Sequence, residues 1–288
     1  MKARARARDT AILLEKRGAT AYVTFNRPKV LNALRPLDYH LLDDLVNDCE
    51  RDPKIRAIIF TGKGRAWSVG DDINVALAGT QRRKWIEKDP VQSLQWAGRY
   101  MELAMSQRLI ATQQTCKTLL NSGKVSIAAV NGICYIAEYL YAMDFVIAAE
   151  HATFAQGDIK IGICPVGSST QILPRVLGRR RATELLLNPE LIPASEAFRL
   201  GLVNKVVPAE QLMPEAEKLA RRIAGYSYPA IKLTKILMTK AQDLPLQEGL
   251  EQEVLLSGLS LQSGDYEKFA KSFLARRRRK QTRRRTKR

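Results

Sequence analysis

Two runs rich in apolar residues, Ala11–Arg17 and Ala19–Phe25, flank Gly18, the pattern of an opening hairpin. From Pro36 the spacing changes: Leu41, Leu42, Leu45, Val46 and Cys49 fall on one face of a helix, with Asp43, Asp44 and Asp48 mostly turned outward. Arg56–Thr61 reads as a buried strand and leads into the loop GKGRAWSVGDDI. Residues 92–121 have a helical pattern. Val125–Val130, Asp144–Ala149 and Val203–Val207 read as three more short buried strands, the first closed by Asn131-Gly132. The chain beyond is mainly helical to about Leu274, with breaks near Gly225-Tyr226, Pro245 and Gly264. Strands alternating with helices, then helices alone, predict an α/β fold on an essentially parallel sheet with a helical appendage. The pattern fits a doubly wound sheet and a coiled stack of strand–strand–helix turns equally well.

Composition narrows the classes. Of 288 residues, 45% are hydrophobic and 26% charged, an ordinary globular balance, and no apolar run is long enough for a transmembrane helix. The net charge of +18 is concentrated at the ends. Residues 276–288 (RRRRKQTRRRTKR) carry 10 basic side chains and no acid, and residues 1–8 carry 4 more, leaving a body with 33 basic against 29 acidic. Such runs repel internally and are expected to stay disordered, as solubilising tails or as contacts for nucleic acid or an anionic surface. The Ala/Arg alternation at the start is short and serine-free for a transit peptide. Four scattered cysteines without C-x-x-C spacing fit a reducing compartment: the cytoplasm is expected, with a mitochondrial or other reducing location left open. Two histidines make a histidine-rich metal centre an unlikely reading. No GxGxxG follows a strand and no P-loop motif occurs.

The loop Ala66-Trp67-Ser68-Val69-Gly70 has the outline of a nucleophile elbow, but neither His40 nor His151 stands in a context that marks it as a base, so Ser68 reads better as a polar structural residue. The same strand-to-helix turn, ending in Asp71-Asp72-Ile73, leaves backbone N–H groups able to face a developing oxyanion.

Taken in order, Asn26-Arg27-Pro28-Lys29, Leu31-Asn32-Ala33-Leu34, AWSVGDDI, AAVNG, the segment from Phe154 to Gln171, and ASEAFRLGLVNKVVP at 194–208 resemble the crotonase (enoyl-CoA hydratase/isomerase) superfamily over roughly residues 10–275. The resemblance implies a spiral of ββα turns spanning residues 10–205 and a C-terminal helical trimerisation region at 206–275, between the basic extension at 1–9 and the tail at 276–288. It implies a homotrimer or hexamer and an acyl-CoA thioester substrate with no separate cofactor, coenzyme A being part of the substrate. Two backbone N–H groups would hold the thioester oxygen. Val69 is the expected first donor. For the second, counting forward from Asn131 reaches Ala137 and counting back from Asp144 reaches Tyr135, because the loop is shortened and has no glycine after Gly132. The backward count places Glu138 at the first catalytic carboxylate of hydratases, and Asp158 stands at the second, one methylene short. One carboxylate would deprotonate water for attack at C3, the role expected of Glu138, while the other protonates C2. Plainer readings are a helix-N-terminal acid for Glu138 and a turn aspartate for Asp158. Arg27 and Lys29, with Asp72, lie where the family's loop approaches coenzyme A. Arg82, Arg83 and Lys84 read as a solvated cluster. The implied activity is hydration of a 2-enoyl-CoA, with isomerisation or hydrolysis of a CoA thioester, or an RNA-associated role for the basic tail, as alternatives.

Overall fold

A computed structural model describes residues 10–75 and 108–285, with side chains to residue 275. The expected helical stretch 92–107, the cluster Arg82, Arg83 and Lys84, and the basic residues 1–9 lie outside the described residues.

Strands β1 (Ile12–Arg17) and β2 (Thr20–Phe25) pair antiparallel in register from Ile12↔Phe25 to Arg17↔Thr20. Gly18 turns the chain at φ +58°, a conformation open to a residue without Cβ. Helix α1 (Pro36–Arg51) follows. Its first turn is held by the Asp38 carboxylate, which accepts from the Arg35 N–H at 2.8 Å. It buries Tyr39, Leu42, Val46 and Cys49.

The next strands alternate between two sheets. β3 (Ala57–Gly62), β5 (Val125–Val130) and β7 (Phe145–Ala149) join the first sheet, in the order β1-β2-β3-β5-β7-β10, while β4 (Ala66–Ser68), β6 (Ile133–Cys134), β8 (Thr153–Phe154) and β9 (Ile192–Pro193) build the second. The pairs β3/β4, β5/β6 and β7/β8 each give one strand to each sheet before a helix, and beyond the opening hairpin the first sheet is wholly parallel. This is the coiled stack, and it settles the choice that periodicity left open. The helices are α2 (Arg108–Asn121), α3 (Ala137–Tyr141), α4 (Ser169–Leu177), α5 (Arg179–Leu187) and α6 (Ala194–Arg199), ahead of β10 (Lys205–Val207). β5 is buried at every position, as a strand covered on both faces must be. Trp67 fills the core from β4, edge-on to Phe25 with ring centroids 4.9 Å apart.

The chain divides into two units, one formed by residues 1–120 and 124–223, the other by 121–123 and 224–288. This division falls later in the chain than the expected start of the helical region at 206. Helix α7 (Leu212–Ala224) belongs almost wholly to the first unit, because its apolar face, Leu212, Ala216, Ala220 and Ile223, is buried.

The second unit contains α8 (Tyr228–Lys240), α9 (Leu246–Gln262) and α10 (Asp265–Arg285). The Ser227 hydroxyl caps α8 by accepting from the Ala230 N–H. Exposed apolar residues run along α9, including Leu246, Val254 and Leu255. Residues 276–285, expected to be disordered, continue α10. No glycine or proline interrupts 265–285, arginine and lysine are good helix formers, and Asp265 and Glu267 complement the positive end of the helix dipole. Among the described residues, no helix is long and apolar enough to cross a membrane.

Candidate active site

Within the first unit a cavity of about 360 Å³ is walled by residues from the loop after β2, from α1, from the β4 loop, from the start of α2 and from the turns around α3 and β8. Glu138 and Asp158 both line it. The shortened loop 132–138 starts α3 one residue before Glu138, putting that side chain on the first turn of a five-residue helix. Asp158 begins the 3₁₀ turn Asp158–Ile161 that follows β8. The spiral stacks these two segments through β6 and β8, which pair at Ile133↔Thr153 and Cys134↔Phe154. A Cβ at Gly157, just before Asp158, would sit 2.9 Å from the Tyr135 ring, so glycine fits there without displacing that side chain.

Gln156 joins the two carboxylates. Its Nε2 donates to Glu138 Oε2 at 3.2 Å and to Asp158 Oδ2. Glu138 is 6% exposed, and burial, reinforced by the negative charge of Asp158, pushes its carboxyl up to about 8. Its own backbone N–H, Gln156 and Arg108 oppose the rise without cancelling it. Behind the pair, the Ser168 hydroxyl donates to the Glu138 carbonyl.

A second polar group shares the cavity. Asp71 Oδ1 accepts from the Tyr39 hydroxyl at 2.7 Å, and its Oδ2 pairs with Arg108, whose guanidinium also lies 5.6 Å from the Tyr39 ring centre. Burial, aided by the charge of Asp158, raises the Asp71 carboxyl, while Arg108 and Tyr39 pull it down.

Not every expected residue is free to act as assigned. Val69 lines the cavity, but its N–H donates to the Leu31 carbonyl at 3.1 Å. Leu31 and Asn32 both take left-handed backbone, with φ of 54° and 58°. That turn aims the Leu31 carbonyl at Val69. The buried Asn32 amide locks it, donating to the carbonyls of Lys63, Ala66 and Trp67 while its oxygen accepts from the Arg27 N–H. In this structure the expected donor at Val69 is engaged by Leu31. Of the two positions for the second donor, Tyr135 gives its N–H to the Ser68 carbonyl at 2.9 Å. Ala137 is the first residue of α3, where an N–H has no intrahelical acceptor, but it lines a smaller cavity with Leu140 and Tyr141. Arg27 and Asp72, both expected at coenzyme A, pair with each other at 3.0 Å, and Arg27 also donates to the Ala33 carbonyl. Lys29 is exposed. Ser68 is fully buried in β4 and donates to the Asn32 carbonyl at 2.6 Å, a structural role, and His151 meets the Asn131 carbonyl instead of any hydroxyl.

Nothing in the sequence marks Asp71, Tyr39 or Arg108 as a site residue. Gln156 alone left a signal, two residues before Asp158 in an extended turn.

A two-sheet spiral with paired carboxylates over one cavity is the architecture of the crotonase superfamily. The sequence model described as enoyl-CoA hydratase/isomerase matches residues 15–283, and the chain belongs to that family. It is 36% identical over 241 residues to a Dictyostelium discoideum protein named "Probable enoyl-CoA hydratase, mitochondrial", covering 83% of this chain and 79% of that protein. It is 33% identical to the crotonyl-CoA hydratase of Syntrophomonas wolfei, covering 92% and 95%. The crystal structure of an enoyl-CoA hydratase from Polaromonas sp. JS666 superposes with a TM-score of 0.78 at 27% identity, covering 92% of this chain and 97% of that one.

Proposed function

We propose that this chain adds water across the double bond of a 2-enoyl-CoA thioester, giving the 3-hydroxyacyl-CoA. The observation that carries the reading is the meeting of Glu138 and Asp158 on one cavity and one amide partner. Hydration needs a base for water and an acid for carbon in the same site. A Glu138 carboxyl raised to about 8 keeps its proton at neutral pH, next to the negative charge of Asp158. That distribution favours Asp158 as the base and Glu138 as the proton source, the reverse of the roles expected from the sequence. Water loses a proton to Asp158 as its oxygen bonds to C3. The C2=C3 electrons move through the thioester carbonyl as an enolate and then take the Glu138 proton at C2. Transfer of a proton from Asp158 to Glu138 resets the pair.

In this reading the enolate oxygen is held by the N-terminus of α3, with Ala137 as donor, and by Val69 once its bond to Leu31 is shared or released. The exposed Lys29 is a cation for the coenzyme A phosphates, Arg27 being tied to Asp72. The exposed apolar residues of α9 support burial against further copies of the chain as a trimer or hexamer. The basic run 276–288 supports a salt-sensitive contact with a polyanion such as RNA.

The test is crotonyl-CoA followed by ultraviolet absorbance alongside free-thiol release. Loss of enoyl absorbance without thiol supports hydration. Thiol release identifies a hydrolase, and neither signal points to an isomerase or a different acyl chain.

A further inference from the structure

Resting on the hydratase reading, we infer that the acyl end of this cavity takes an enoyl chain terminating in a carboxylate, held by Arg108 together with Lys160. Arg108 is fixed before any substrate arrives: Asp71 takes its Nη1, the Tyr39 ring lies beneath the guanidinium, and the Tyr39 hydroxyl holds Asp71 in turn. A guanidinium has five N–H donors, and among the described residues Asp71 is the one acceptor its side chain meets. Arg108 also lines the cavity, where the remaining N–H groups of its fork can meet a bound substrate. Lys160 lines the same cavity, and among the described residues no carboxylate lies within ion-pairing distance of it.

These two cations share the cavity with the reacting groups. Arg108 acts electrostatically on Glu138, as Asp158 does on Asp71. A plain alkyl chain would cover guanidinium N–H groups and give them no acceptor, and sites built around polar groups reject substrates that leave those groups unpaired. A carboxylate supplies two acceptor oxygens for the fork and a counter-charge for Lys160. The Asp71–Tyr39 pair positions Arg108 and does not itself touch substrate.

The experiment compares kcat/KM for two substrates of the intact chain: trans-but-2-enoyl-CoA and the mono-CoA thioester of trans-pent-2-enedioic acid. The wild-type protein is expected to favour the carboxylated substrate at least tenfold. Arg108→Leu is expected to lower that ratio at least tenfold, whichever way the absolute rates move, and Lys160→Met to lower it by a smaller factor. A wild-type preference for the butenoyl substrate overturns the inference and leaves the hydratase reading standing, as does a ratio unmoved in both variants. Hydration of neither substrate overturns the inference together with the hydratase reading for short enoyl chains. The wild-type ratio decides the matter even if Arg108→Leu fails to fold.

Discussion

The Gln156 amide donates to the Glu138 carboxylate at 3.2 Å, and the same nitrogen reaches Asp158. Two acids 20 positions apart are thus held in one orientation by a neutral side chain that takes no part in proton transfer. Gln156→Leu removes that support and leaves the acids in place. It is expected to lower kcat by about 10- to 100-fold, with KM moving much less, since small misplacements of reacting groups carry costs of this order. Steady-state kinetics check it.

Activity is expected to decline on the alkaline side with an apparent pKa near 8, as Glu138 loses the proton it must give to C2. Because the Asp158 charge is one cause of the raised value, Asp158→Asn is expected to lower the Glu138 pKa. A carboxyl-carbon NMR titration of that variant reads the shift directly.

The same proton carries a stability consequence. The folded Glu138 pKa lies above the ordinary value of 4.5, so the native state binds this proton more tightly than the unfolded chain does. Its contribution is fully present below about pH 4.5 and is lost as pH rises through about 8. At 1.36 kcal/mol per unit the loss is on the order of several kcal/mol. Glu138→Gln, which cannot ionise, is expected to gain in Tm over the wild-type protein as pH is raised from 5 to 8.5. Paired thermal melts across that range check the sign.

Charges in the loop after β2 should separate by role. Arg27→Ala breaks the pair with Asp72 and the bond to the Ala33 carbonyl, and is expected to lower Tm. Lys29→Ala, on an exposed side chain, is expected to raise KM for the CoA thioester several-fold at low salt with little change in kcat. Deleting 276–288 is expected to abolish salt-sensitive RNA binding and leave turnover intact. RNA binding retained by the shortened chain at moderate salt would place the contact elsewhere.

The strands and the breaks between the C-terminal helices were legible because burial and glycine or proline leave local marks: Val125–Val130 is apolar almost throughout, and Gly264 separates α9 from α10. The meeting of Glu138 and Asp158 on one cavity is anticipated by motif order. The engagement of Val69 is not, because it depends on Leu31 adopting a left-handed conformation that leucine seldom takes. Arg108 lies within a helical pattern and Asp71 within a loop dipeptide, and neither context marks a site residue. Their pairing is a product of the spiral, which brings the start of α2 against the β4 loop. Helix through residue 285 is hidden in the sequence because repulsion among like charges and helix propensity point in opposite directions there.

The most direct measurement is kcat/KM for crotonyl-CoA hydration by the wild-type protein, Glu138→Gln, Asp158→Asn and the double variant, each shown to be folded. The shared-site account predicts a loss of roughly 100-fold or more in each single variant, and a double variant far less impaired than the product of the two losses, since one transition state needs both groups. Single variants that fold and hydrate as well as the wild-type protein would contradict it.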